Sequence, residues 1–274
     1  MDNRRMCANC RAFITTDDRV CPYCDTPVGP RAIDRQMAAD AMSGLLQGDR
    51  FLTSVILLIN VGLFVATLLY SSNGRSIGMD PSGQSLYAFG AKEGYAILRD
   101  LQWWRLITAG FLHGGILHIG MNSWVLWSLG PQIDEVFGSY RYLVIYFVAT
   151  ILGFAGSLFW TPAVLSIGAS AGISGLVGAM VGLGTKEKHS PIGSERGRYV
   201  QWMVLILVQG FIIPGIDNAA HIGGFVGGFI VAYIAGSKGH ARGDDTFWKT
   251  AAWVSVAVTA YAFFRMTQQL LARQ

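Results

Sequence analysis

Ala219-Ala220-His221-Ile222-Gly223-Gly224-Phe225-Val226-Gly227-Gly228-Phe229-Ile230-Val231-Ala232-Tyr233-Ile234-Ala235-Gly236 contains no Asp, Glu, Lys or Arg, yet carries a histidine at its head. A helix needs roughly 17–25 mostly apolar residues to cross a bilayer, so this run reads as a transmembrane span. Similar runs lie at about 51–70, 114–130, 141–160, 169–184, 199–213 and 248–266. The two shortest call for tilt or an added turn. The expected fold class is an all-α polytopic membrane protein, a bundle of about seven transmembrane helices.

Composition agrees. The chain is 52% hydrophobic and only 14% charged, with a mean hydropathy of +0.39, whereas roughly a quarter of the residues in a soluble domain are charged. The net charge of +4 comes from basic residues scattered between the spans, which argues against a nucleic-acid partner. Residues 1–50 are polar and do not read as a secretory signal, so the run from Phe51 would serve as an uncleaved signal anchor.

Orientation follows from the basic residues of the short loops. Lys186, Lys188, Arg196 and Arg198 follow the fourth span, and Lys238, Arg242 and Lys249 follow the sixth. The links Thr161 to Gly168 and Pro214 to Asn218 carry neither lysine nor arginine. The first set is expected on the cytoplasmic side of a bacterial cytoplasmic (inner) membrane. The N-terminus is then inside and the C-terminus outside.

All four cysteines precede the spans, as Cys7-Ala8-Asn9-Cys10 and Cys21-Pro22-Tyr23-Cys24. Two CxxC knuckles suit tetrahedral thiolate coordination of a structural zinc. Two disulfides or a redox CxxC compete with that reading, but no βαβ scaffold accompanies the motif. Four thiolates leave zinc no open position, so the module is structural rather than catalytic. Residues 1–28 are therefore expected to form a zinc-ribbon-like module and 29–50 a linker. A six-helix core spans 51–236, and a cytoplasmic loop with a seventh helix spans 237–274.

Ionisable groups are costly in hydrocarbon, so a histidine inside a span is a functional candidate. His118 and Asn122 sit four residues apart on one helical face after His113. Both can donate toward one point, as an oxyanion hole requires. Taken singly, polar glue between helices accounts for either residue. In Gly168-Ala169-Ser170-Ala171-Gly172-Ile173-Ser174-Gly175 two serines compete. The first N–H groups of a helix have no internal partner, which favours Ser170 over Ser174 as a nucleophile at a helix start. His221 starts its helix at the same face and can serve as the base that a serine hydroxyl needs. Small-residue stripes, Ala220/Gly224/Gly228 and Ser174/Gly178/Gly182, would let the two helices approach closely. Asp217 lies in the external link and is not read as a third member. Trp103-Trp104-Arg105 ends the long connection 71–113, either as an interfacial anchor or as a structured loop.

Together these pieces resemble the rhomboid family of intramembrane serine proteases. The resemblance rests on Trp104-Arg105, on the HxxxxHxxxN pattern of His113, His118 and Asn122, on the serine heading the fourth span, and on Ala220-His221-Ile222-Gly223-Gly224. It covers about residues 51–236, with the seventh span as an additional helix. It implies a Ser170–His221 dyad without an acidic member and an oxyanion hole from the Ser170 N–H, His118 and Asn122. It also implies transmembrane-protein substrates, a small residue before the cut, and catalysis without a cofactor. Two positions depart from the family pattern. Ala171 follows the serine where glycine is usual, and Ser174 stands where an aromatic residue often stacks on the base. A Ser174 hydrogen bond is one way His221 could be oriented instead. A proton-relay transporter would require carboxylates along the spans, and a non-catalytic escort protein would require neither Ser170 nor His221.

Overall fold

The computed structural model describes residues 4–7, 9–15, 18–28, 50–72, 78–237 and 245–272. The linker expected at 29–50 lies outside them except for Arg50, as do Lys238 and Arg242. Two compact units divide at Phe51.

In the smaller unit, β1 (Arg4–Met6) pairs antiparallel with β2 (Phe13–Thr15), Arg5 opposite Ile14. Cys7, Ile14 and Cys21 form its buried centre. The two knuckles fold alike. The residue after each second cysteine, Arg11 or Asp25, has a positive φ of 58° or 51°. Its N–H returns to the first cysteine's carbonyl, Arg11 to Cys7 at 3.0 Å and Asp25 to Cys21 at 2.9 Å.

Among the described residues the larger unit is built of α-helices: α1 (Phe51–Ser72), the short α2 (Gly83–Ala88), α3 (Gly94–Leu98) and α4 (Arg105–Thr108), then α5 (Ile116–Phe137), α6 (Ser139–Trp160), α7 (Ser170–Lys186), α8 (Pro191–Ile212), α9 (Asn218–Ala235) and α10 (Asp245–Leu271). Each of the seven expected spans corresponds to one long helix. By length and composition, α1, α6 and α9 are apolar enough to cross a membrane.

Three helices, α5, α8 and α10, extend well beyond the runs read from sequence. Pro131 removes one backbone donor from α5 without ending it, and the Gln132 side-chain amide donates to the Ser128 carbonyl at 2.8 Å. α8 begins at Pro191 because proline suits the first helical position, and Ser190 Oγ accepts the Gly193 N–H at 3.1 Å. The charged turn Glu195–Arg198 is therefore helical, with an ion pair of 2.9 Å.

The centre of the bundle is α7, buried at every residue from Ala171 to Gly184. Its small side chains follow from that enclosure. A Cβ on Gly178 or Gly182 would run into the backbone of Phe225 or Phe229, and one on Gly228 into the backbone of Gly175. The anticipated small-residue contact between α7 and α9 is present, with Gly175 rather than Ser174 facing Gly224 and Gly228. On its other side α9 meets α6 as closely: a Cβ on Gly153 would lie 2.7 Å from the Ala220 carbonyl oxygen, and one on Gly223 2.5 Å from that of Leu152. With no hydrophobic drive between helices in lipid, this backbone-to-backbone packing carries the association.

Larger residues at these contacts are expected to force the helices apart. Gly228→Val should lower the thermal midpoint in detergent by an amount equivalent to about 1–3 kcal/mol or more, the usual cost of overpacking. Gly197→Ala, where an added Cβ meets nothing within 4 Å, should leave the midpoint unchanged or slightly raised. An unaltered midpoint in Gly228→Val would show that the α7–α9 contact is slack.

Candidate active site

Three helices, α5, α7 and α9, begin at the same face of the bundle, because α6 and α8 run back between them. His118 and Asn122 lie in the first two turns of α5, Ser170 opens α7, and His221 lies one turn into α9. The His221 Nε2 is 2.9 Å from Ser170 Oγ. Ser174, one turn deeper, is fully buried and its hydroxyl has no hydrogen-bond partner. The suggested Ser174 bond to His221 is therefore absent. The His221 Nδ1 is also buried without a partner.

The backbone brings the groups together at Gly168. Its φ of 127° is one that side chains rarely allow, and a Cβ there would lie 2.8 Å from His118 Nε2 and 3.4 Å from Ser170 Oγ. Glycine is required on both counts. The Gly168 N–H donates to the Ala109 carbonyl at 2.9 Å. Ala171 is helical rather than left-handed, so that turn does not need a glycine after the serine.

The His118 tautomer follows from its neighbours. The Gly114 N–H donates to His118 Nδ1 at 3.4 Å, which leaves the proton on Nε2, the nitrogen facing Gly168 and Ser170. The Asn122 Nδ2 is buried and makes no hydrogen bond. A buried donor without a partner carries a desolvation cost of about 1–3 kcal/mol and calls for an explanation, of which a catalytic role is one. The His113 ring packs edge-on to His118 with centroids 5.1 Å apart.

Among the described residues of the connection, 78–113 form a structured loop. Trp104 and Arg105 are buried. Arg105 donates to Gln102 Oε1 (2.6 Å) and to the Tyr87 and Ala91 carbonyls (2.9 and 2.8 Å), with its guanidinium over the Tyr87 ring. Trp103 stacks on Tyr261 of α10.

Sequence reading missed two polar contacts. Lys92 is fully buried and donates to the Thr161 and Val164 carbonyls at 2.7 and 3.0 Å. Its backbone exchanges both hydrogen bonds with Ser166. Burial lowers the Lys92 ammonium pKa, while the Asp217 and Glu93 carboxylates oppose that shift. Asp217 caps α9 through Oδ1, which accepts the Ala220 N–H at 3.0 Å, and its Oδ2 accepts the Ser157 hydroxyl of α6. An aspartate just before a helical run is a recognisable N-cap signal. A lone loop lysine gives no such sign.

The model of the family described as Rhomboid domain matches residues 100–238, just over half the chain. The chain belongs to the rhomboid family. It is 36% identical over 159 residues to the rhomboid protease GluP of Bacillus subtilis, covering 58% of this chain and 31% of that protein. It is 30% identical to the B. subtilis rhomboid YdcA, covering 52% and 71%, and 29% identical to Inactive RHOMBOID-like protein 8 of Arabidopsis thaliana, covering 66% and 58%. The chain spans from about a third to half the length of several curated relatives it matches. It is an integral membrane protein.

In the N-terminal unit the four sulfurs of Cys7, Cys10, Cys21 and Cys24 lie within 4.8 Å of one another, and Cys7–Cys24 and Cys10–Cys21 are each 3.7 Å apart. A disulfide requires about 2.05 Å, so none is formed. A tetrahedral site with metal–sulfur bonds of about 2.3 Å has sulfur–sulfur edges near 3.8 Å. The cluster therefore fits a four-thiolate metal site. The Thr26 hydroxyl, 3.3 Å from Cys24 Sγ, and then the Thr26 N–H push the Cys24 thiol down to about 6, which readies it as a thiolate ligand. Elemental analysis should find one zinc per chain, lost in a Cys10→Ser/Cys24→Ser variant. Metal-free protein purified without chelator, or two disulfides by intact mass, would contradict the four-thiolate site.

Proposed function

We propose that this chain is an intramembrane serine endopeptidase that cuts peptide bonds within or beside transmembrane segments of other membrane proteins. The observation that carries this reading is the 2.9 Å contact between Ser170 Oγ and His221 Nε2 at paired helix starts. The partners are transmembrane protein substrates and the lipid bilayer, and zinc in the N-terminal module plays a structural part only.

In this mechanism His221 Nε2 takes the hydroxyl proton as Ser170 Oγ bonds to the substrate carbonyl carbon. The C=O electron pair moves onto the oxygen. That oxyanion is received by the Ser170 N–H, which as the first helical N–H has no internal partner, by His118 Nε2–H and by Asn122 Nδ2–H. The imidazolium then gives its proton to the leaving amine nitrogen as the C–N bond breaks. Water, deprotonated by His221, attacks the acyl-enzyme carbonyl and releases the carboxylate as the proton returns to Ser170. Asp217 takes no part in the proton transfers, since both its oxygens are engaged at the cap and at Ser157.

The loop charges favour an outer position for this face and a cytoplasmic N-terminus, which would set the cut at the outer edge of the substrate helix. A helix buries its carbonyls in internal bonds, so glycine after a small residue should aid cleavage by weakening the helix.

Ser170→Ala and His221→Ala are each expected to abolish cleavage of a model transmembrane substrate while the melting transition persists. Ser174→Ala, which removes a buried unpaired hydroxyl, should retain turnover. Asn122→Ala should lower kcat about 10²–10³-fold, as loss of an oxyanion donor does, with KM little changed. Mass spectrometry of the fragments should place the cut in the outer third of the substrate helix. Turnover that survives Ser170→Ala but not Ser174→Ala would move the nucleophile, and a cytoplasmic cut would invert the orientation.

A further inference from the structure

Both halves of the site hang from the C-terminal end of α6. On one side, the Ser157 carbonyl accepts the Thr161 N–H at 2.8 Å, and the Thr161 carbonyl is held by Lys92 at 2.7 Å. From there the link runs through Ser166, paired with Lys92, to Gly168 and Ser170. On the other side, the Ser157 hydroxyl donates to Asp217 Oδ2. The Asp217 carbonyl is the acceptor for the His221 N–H at 3.1 Å, so His221 is fixed one turn beyond that anchor. One residue, Ser157, thus grips the chain segments leading to Ser170 and to His221.

We propose that Ser157 and Asp217 are positioning residues for the base, acting through the first turn of α9. The proposal rests on the dyad reading above. An ordinary N-cap needs only one carboxylate oxygen, and Oδ1 already fills that role on the Ala220 N–H. The second oxygen reaches a different helix, to a serine that is completely buried. The contact sits one turn above that of Gly153 with Ala220 and directly after that of Gly156 with Ala219. Those contacts fix the spacing of α6 and α9 but, being backbone against backbone, allow α9 to slide or rotate. The Ser157–Asp217 bond removes that freedom. His221 needs it removed, because its Nδ1 has no partner to orient the ring. The other ionisable groups nearby, Lys92 and Glu93 from the loop and His118 from α5, do not contact either carboxylate oxygen in a hydrogen bond.

The test is steady-state cleavage of a transmembrane substrate by the full chain in detergent, with kcat, KM and the thermal midpoint measured for each variant. Ser157→Ala and Asp217→Ala should each lower kcat about tenfold or more, as misplacement of a reacting group does, with KM within about twofold. Because the two residues act through one bond, the double variant should lose no more than the worse single one, rather than the product of the two losses. Asp217→Asn, which still caps α9 and still bonds Ser157, should recover kcat to within about threefold of the wild type. Wild-type kcat in Ser157→Ala would overturn the proposal. So would multiplicative losses in the double variant, or a midpoint that falls while kcat holds. Ser157→Ala deletes only a hydroxyl, so it decides the matter even if Asp217→Ala does not accumulate. Failure of the dyad itself would appear separately, as cleavage that survives Ser170→Ala.

Discussion

Everything in the larger unit depends on two helix backbones touching. α7 and α9 can pack as they do only because Gly175, Gly178, Gly182, Gly224 and Gly228 offer no side chains at the contact. That approach puts a serine hydroxyl and an imidazole, each near the start of its helix, within hydrogen-bonding distance. It also explains the composition of α7. α7 carries glycine where a neighbouring backbone touches it, at 175, 178 and 182, and larger apolar residues such as Leu176, Met180 and Leu183 on its other faces.

The low dielectric of such a site makes every unpaired polar atom costly, and the remaining orphans are informative. Asn122 Nδ2, one turn beyond His118 on α5, and His221 Nδ1 stand unpartnered. In the proposed mechanism the first meets a developing oxyanion, and the second carries the proton of the neutral base. By contrast, the buried cations of the long loop bond mainly to backbone. Arg105 and Lys92 donate to carbonyls of loops that would otherwise leave them unsatisfied. The loop cations hold the loops in place, and the proposed mechanism gives the two orphans their use.

The seven long helices were legible because hydropathy over about 20 residues is a strong signal, and three of them are apolar enough by length and composition to cross a membrane. Their ends were less so: Pro131 and Ser190-Pro191 mislead any reading that treats polar or helix-breaking residues as boundaries. Ser170 and His221 could be named from where the free N–H groups of a helix lie and from the glycine stripes. Trp104-Arg105 left two readings open, since a tryptophan beside an arginine suits an interface and a packed loop equally; burial decided for the loop. Lys92 and the Ser157–Asp217 bond were illegible because each joins residues 60 or more positions apart, and no local pattern marks such a pairing. The cysteine knuckles were the opposite case, where spacing alone anticipated four sulfurs within 4.8 Å of one another.

The most direct measurement is covalent capture of the nucleophile. The full chain in detergent is treated with a fluorophosphonate, digested, and the phosphonylated peptide is located by mass spectrometry. A hydroxyl paired with an imidazole at a helix start should react alone, giving a single adduct on Ser170 that disappears in His221→Ala. An adduct on Ser174, or protein that cuts substrate without any adduct on Ser170, would contradict the account.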